Sequence, residues 1–298
     1  MNRGQLVFRT YSVLGRALGA LPEPVALGLA AGVGDLLFEV RGGHRDMVTR
    51  NLRRVLGEGL DDESLRRWAR RSFRAYARYW VEGARLGATP TSEVLQHFVI
   101  EGLEHLASGM AEGRGVVLAL PHVGSWEFGG AFLSAIGFPM TAVAERIEPP
   151  ELFDYFVAER AAMGLTIIPL GAHSMTEILQ VLRDGHLVGL LSDRDLNDTG
   201  MEVSFFGETT TMPGGPATAA LRTGAVLMTA VVYSGPGRDH RAVVNPPIDT
   251  TRQGSFRADV HRLTQTVASE FEDHIRMAPE QWHVFQPLWP VDRQGARS

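Results

Sequence analysis

The amino-acid sequence predicts an α/β protein: a central, mostly parallel sheet covered by helices on both faces, with an N-terminal helical subregion that associates with a membrane. Three observations carry this expectation. From about residue 99 onwards, short apolar runs alternate with helical segments. Before residue 90 the pattern is helical and basic. No internal repeat, low-complexity stretch or long linker divides the 298 residues, so one domain is expected over 1–298, with 1–90 as its helical subregion and 99–290 as the α/β body.

Residues 5–20 and 24–40 read as two apolar-faced helices parted by LPEP, whose prolines break the run. Two more helices are expected at 45–56 and 62–86, the last with Asp61 or Asp62 as its N-cap. There Arg67, Arg70, Arg71, Arg74 and Arg78 fall near one side, and Trp68, Ala75, Tyr76 and Tyr79 towards another. The arginines are either a solvated face or a surface for anionic lipid or a cofactor diphosphate. No recognised nucleic-acid module accompanies them, so nucleic acid is not an expected partner. All 29 basic residues are arginine, whose guanidinium suits phosphates. Residues 1–90 carry 15 arginines against 9 acids within a chain of net charge −5, a basic end on an acidic body.

The most hydrophobic stretch, VALGLAAGVGDLLF, is 14 residues long and contains Asp35. A bilayer span needs about 20 apolar residues, so this segment is expected to lie on a membrane rather than cross it. Arg3, Arg9 and Arg16 interrupt any early apolar core, and no secretory signal is expected.

Strands are predicted at 116–120, 141–144, 166–170, 187–191, 226–232 and 242–244. Helices are predicted at 125–136, 150–163, 175–184, 216–223 and about 256–277. In open α/β sheets, ligands sit beyond the carboxyl ends of the strands. His122 follows such an end by two residues, in GVVLALPHVGSWEFGGAF. Ser125 is a plausible N-cap for the next helix, which places Glu127 in its first turn, and the Gly124 turn could carry that carboxylate back to the imidazole. A carboxylate on one ring nitrogen fixes the tautomer and frees the other to take a proton from a hydroxyl. That is the arrangement of general-base acyl transfer without a covalent intermediate.

The alternatives for these residues are blander. A lone loop histidine is commonly structural, and without cysteine or an HExxH motif no metal site is expected. A second constellation is Asp193, Arg194 and Asp195, at the tip of the run HLVGLLS; it is either a structural ion pair or a site. After it, MEVSFFGETTTMPGGPATAALRTGA reads as a turn-rich loop entering a helix, with Phe205, Phe206 and Met212 lining an apolar slot. The other nine histidines read as structural or surface groups, with His283 packing near the site; Trp282, Phe285 and Trp289 read as core or membrane-interface aromatics.

In order along the chain, YARYWVEGARL, LALPHVGSWE, TAVAER, DRDLNDTGMEVSFFG, TMPGGPA and QWHVFQPLW resemble the bacterial membrane-associated acyltransferases of the lipid A lauroyl/myristoyl transferase superfamily. Within it, the resemblance is to the actinobacterial phosphatidylinositol mannoside acyltransferases. It implies transfer of a fatty, palmitoyl-like acyl group from acyl-coenzyme A, a substrate rather than a tightly bound cofactor, to a mannose hydroxyl of such a lipid. It implies a peripheral protein on the anionic cytoplasmic face of the cell membrane. His122 takes the place of the catalytic base, Asp193 of the acid paired with it, and Glu127 of the motif acid that orients the loop. Arg160 matches a cofactor-contacting arginine and Thr199 a small hydroxyl near the same ligand. Arg146, Arg194 and Arg222 are further candidates for substrate contact. The chain departs from the family in carrying Glu at 127 and Asp at 193, the reverse of the usual lengths, and Arg222 where an acid is expected. A different glycolipid or lysophospholipid acceptor, a non-catalytic lipid-binding homologue and a thioesterase-like hydrolase remain as other readings.

Overall fold

A computed structural model of the chain describes residue 15 and residues 17–294. The helix predicted at 5–20 thus lies mostly outside the described residues, although 17–20 are helical. Helix α1 (Glu23–Val40) carries Pro24 in its first turn, where a missing N–H breaks no bond. It buries Ala26, Ala30, Gly34 and Phe38, packing on α3 (Asp62–Leu86). At Gly34 a Cβ would stand 2.6 Å from the Arg74 Cα, so glycine permits this close crossing. Helix α2 (Gly42–Leu56) adds Val48 and Leu52 to the cluster around Phe38. Asp61 caps α3 by accepting from the Ser64 N–H at 2.7 Å.

The arginine face of α3 is largely consumed within the protein. Arg74 and Arg70 both donate to Asp35 of α1, and these bonds hold its carboxyl well below the usual range. Arg78 donates to Glu82 and to the carbonyls of Gly235 and Gly237. Arg67 pairs with Glu63, and Arg71 lies over the Trp68 ring. The stripe that reads as a lipid or diphosphate surface fastens α3 to its neighbours.

Helices α4 (Thr91–Gln96) and α5 (Leu103–Ala111) flank strand β1 (Phe98–Glu101). Five parallel strands follow in the spatial order β8 (Val226–Ser234), β2 (Val116–Leu120), β5 (Leu187–Leu191), β3 (Met140–Ala144), β4 (Thr166–Pro169). Strand β9 (His240–Val244) pairs antiparallel with β8, and β1 closes that edge parallel to β9. All five residues of β2 are buried. Val117 and Ala119 join the core beneath α8 (Ser174–Arg183), α9 (Gly215–Thr223) and α10 (Phe256–Met277), while Val116, Leu118 and Leu120 meet α5 and α6 (Trp126–Ala135). Helix α7 (Pro150–Ala162) joins β3 to β4.

One prediction fails here. The segment read as a loop is an antiparallel hairpin, β6 (Met201–Phe205) and β7 (Glu208–Met212). Its alternation turns Val203, Phe205, Thr210 and Met212 inwards, all nearly fully buried.

Candidate active site

The register of β2 against β5 builds the site. Leu120 pairs with Leu191, so His122 and Asp193, each two residues further on, emerge side by side. Gly124 adopts φ +57°, and a Cβ there would run into the Val232 carbonyl oxygen, so glycine makes the turn into α6.

His122 Nδ1 lies 2.5 Å from Asp193 Oδ1, and the His122 backbone N–H donates to Oδ2 at 3.0 Å. A carboxylate only accepts, so Nδ1 carries the proton and Nε2 the free lone pair. Asp193 is 1% exposed. Burial works against its ionisation, but the His122 imidazole and the hydrogen bonds from His122 and Trp282 outweigh it and hold the carboxyl below its ordinary range. Arg194 Nη1 stands 3.5 Å from His122 Nε2, and Nη2 is 3.7 Å from Glu145.

His122 and Arg194 border a cavity of about 620 Å³. Its apolar wall includes Met140, Ala142, Leu165, Ile167 and Ile178; Glu127, Arg160 and Thr199 stand among its polar groups. Trp80, Ile147, Leu170 and Leu196 also line it, and each is more than a third exposed. The size and the mixture suit a substrate with an apolar tail and a polar head.

Glu127 does not reach the imidazole. Its carboxylate accepts from Arg160 and interacts with the buried Tyr79 hydroxyl, so the longer acid ties α6 to α7 and α3. Ser125 stands at the N-cap of α6 as expected, but its hydroxyl makes no capping bond and donates instead to Glu82, a buried carboxylate. Burial opposes ionisation of Glu82, but His240, Arg78 and Ser125 hold it down to about 2. Phe205, Phe206 and Met212 lie outside the cavity lining, because the hairpin directs them into the core. The Arg222 guanidinium lies over Phe256, and that of Arg146 over Phe153; neither residue is part of the lining. Among the described residues no group of three or more His, Cys, Asp or Glu could hold a metal ion.

Sequence reasoning missed Trp282, whose indole N–H donates to Asp193 Oδ2 at 2.8 Å. The available signal was chemical: a buried indole needs an acceptor, and QWH stands close to the chain end in a segment rich in aromatics. His283 does pack at the site, among Tyr76, Tyr79 and Trp126, and burial pushes its pKa down to about 3.

The model of the bacterial lipid A biosynthesis acyltransferase family matches residues 5–290. The chain belongs to that family. It is 36% identical over 302 residues to the phosphatidylinositol mannoside acyltransferase of Mycolicibacterium smegmatis, covering 99% of this chain and 95% of that protein. To the protein of the same description in Mycobacterium tuberculosis it is 37% identical over 289 residues, covering 94% and 88%. The lipid A biosynthesis palmitoleoyltransferase of Escherichia coli is 24% identical over 269 residues, covering 88% and 84%. In this acyltransferase Asp193 meets the imidazole because the adjacent strands are in register, and Glu127 reaches Arg160.

Proposed function

We propose that this acyltransferase moves a palmitoyl-like group from acyl-coenzyme A to a mannose hydroxyl of a phosphatidylinositol mannoside. The observation that carries the reading is a buried carboxylate holding Nδ1–H of an imidazole that borders a cavity lined by both apolar and polar groups. His122 Nε2 takes the hydroxyl proton as the sugar oxygen attacks the thioester carbonyl. The C–S bond of the tetrahedral adduct then breaks, and the departing thiolate receives that proton. Arg160 and Thr199 contact the coenzyme, and the fatty chain enters between β3, β5 and α8. The relatives' descriptions support the acceptor.

Purified protein given radiolabelled palmitoyl-coenzyme A and a panel of mannosylated and plain phosphatidylinositols is expected to label the mannosides alone. Label in the plain lipid, or coenzyme A release with no labelled lipid, counts against this function.

The same reading places the protein peripherally on the cytoplasmic face of the cell membrane, against anionic lipid. Val25, Leu29, Val33, Leu36 and Val40 form an exposed apolar stripe along α1, beside its buried face. No helix among the described residues is long and apolar enough to cross a membrane. Replacing Leu29 and Val33 together by glutamate removes two insertable side chains, each worth roughly 1.5–3 kcal/mol. Sedimentation with anionic vesicles is expected to fall at least about 100-fold, with turnover of a detergent-dispersed acceptor unchanged; undiminished sedimentation excludes this face.

A further inference from the structure

The segment just past α10 touches the dyad from outside the sheet. Residues 281–283 run antiparallel to 122–124, with Val123 bridged to Trp282. The His283 N–H donates to the His122 carbonyl at 2.7 Å, and the Gly124 N–H donates to the Gln281 carbonyl at 3.0 Å. The Gln281 side chain fastens the strap to the sheet: its Nε2 donates to the Ser234 carbonyl at 2.9 Å, and its Oε1 accepts from the Ser234 N–H at 2.8 Å. Thus the loop bearing the base is held by its own backbone to a segment distant in sequence, and β8 holds that segment.

Trp282 brings this strap to the acid. Asp193 Oδ2 accepts two N–H groups, from His122 and from the Trp282 indole, which leaves Oδ1 to face Nδ1. Two donors on one oxygen fix the rotation of the carboxylate. They also stabilise its charge where no water can.

We propose that Trp282 is a positioning residue of the reaction, whose indole N–H keeps Asp193 ionised and turned so that it holds His122 as the Nδ1–H tautomer. The proposal rests on the acyl-transfer reading of His122. Its consequence is a pH dependence. Without the indole donor Asp193 takes up a proton at higher pH, and a protonated Asp193 can offer its own O–H to Nδ1 and drive the proton to Nε2. Turnover is then lost earlier as the pH falls.

The other charged and titratable groups around the dyad do not share this role. Arg194 stands beside Nε2 and pairs with Glu145, just past β3. His283, with its pKa near 3, is neutral over the working range, and its ring nitrogens have no hydrogen-bond partner. Glu82, on α3, is engaged by Arg78, Ser125 and Ser234.

The structure supplies its own control. Trp289 belongs to the same aromatic cluster, 6.4 Å from Trp282 between ring centroids, is fully buried, and its Nε1 has no acceptor. Trp282→Phe and Trp289→Phe therefore delete the same atoms, but only the first deletes a bond to the acid. For Trp282→Phe, kcat is expected to fall about 10- to 100-fold, the range for one hydrogen bond to a charge. The KM for the acyl donor stays within about threefold, and the acid limb of the kcat–pH profile moves up by at least about half a unit. Trp289→Phe leaves that limb in place. Acid limbs for both variants that coincide with the wild type overturn the proposal.

A second measurement needs no substrate. In protein labelled with 15N-tryptophan, one indole N–H resonance is expected to shift between the wild type and Asp193→Asn, as its charged acceptor becomes a neutral one. No indole resonance responding to Asp193 overturns the proposal, and this arm decides it even if the wild type transfers no acyl group to the lipids tested.

Discussion

Turnover by the His122→Ala variant is expected to fall by about 10²–10⁴-fold, the usual worth of a positioned general base, or about 2.7–5.5 kcal/mol of transition-state stabilisation. The sugar hydroxyl is a poor nucleophile until its proton leaves, and Nε2 is the imidazole nitrogen left unprotonated to take it. Folding should survive the change. The loop keeps its hold through backbone bonds from His283 and to Gln281, which alanine preserves. The imidazole ring is partly open to the cavity, with its side chain 14% exposed, so its removal leaves little sealed void. Single-turnover transfer of radiolabelled acyl groups, with a thermal melt as the folding control, checks both halves. Wild-type rates in His122→Ala would remove the base from the mechanism.

Asp193→Asn is expected to be nearly as damaging, on the order of 10³–10⁴-fold, although it changes one atom. Oδ2 accepts from the His122 N–H and the Trp282 indole, so the asparagine carbonyl oxygen must take that place. Its NH2 then faces Nδ1, and a donor cannot face an N–H. The ring responds by shifting its proton to Nε2, on the side where the hydroxyl must be deprotonated. The His122→Ala, Asp193→Asn double variant should be no slower than the worse single one, because the two groups act as a unit. Additive losses in a double-mutant cycle would mean that Asp193 acts elsewhere than through the imidazole.

The α/β architecture was legible because β2, β5 and β8 are apolar at nearly every position, the mark of parallel strands buried on both faces. Strand β1 was illegible for the opposite reason: it is a four-residue edge strand whose single buried side chain, Phe98, shows no period. The β6–β7 hairpin reads as a loop in sequence because threonines fill its second strand and glycines flank it. Its ladder comes from pairing with β6 and packing on α10, which local pattern does not display.

The candidate site divides along the same line. His122, at a strand end before a tight glycine turn, and Asp193, in the charged cluster at another strand tip, are readable from local pattern; family resemblance supplies their pairing. Glu127 reads as a partner of the imidazole because only four residues and a glycine turn separate them, yet α6 turns it towards Arg160. Arg67, Arg70, Arg74 and Arg78 looked free for phosphate because their acidic and carbonyl partners include groups on other elements.

Local order alone, then, determined where the buried strands and the long helices run, and which residue could serve as a base: these follow from period and turn chemistry within a few positions. Tertiary structure decided what holds that base, since Asp193 lies 71 residues from His122 and Trp282 a further 89 beyond Asp193. Strand register and the path of the final strap bring them together. Those depend on packing summed over the whole core, which no short window of sequence contains.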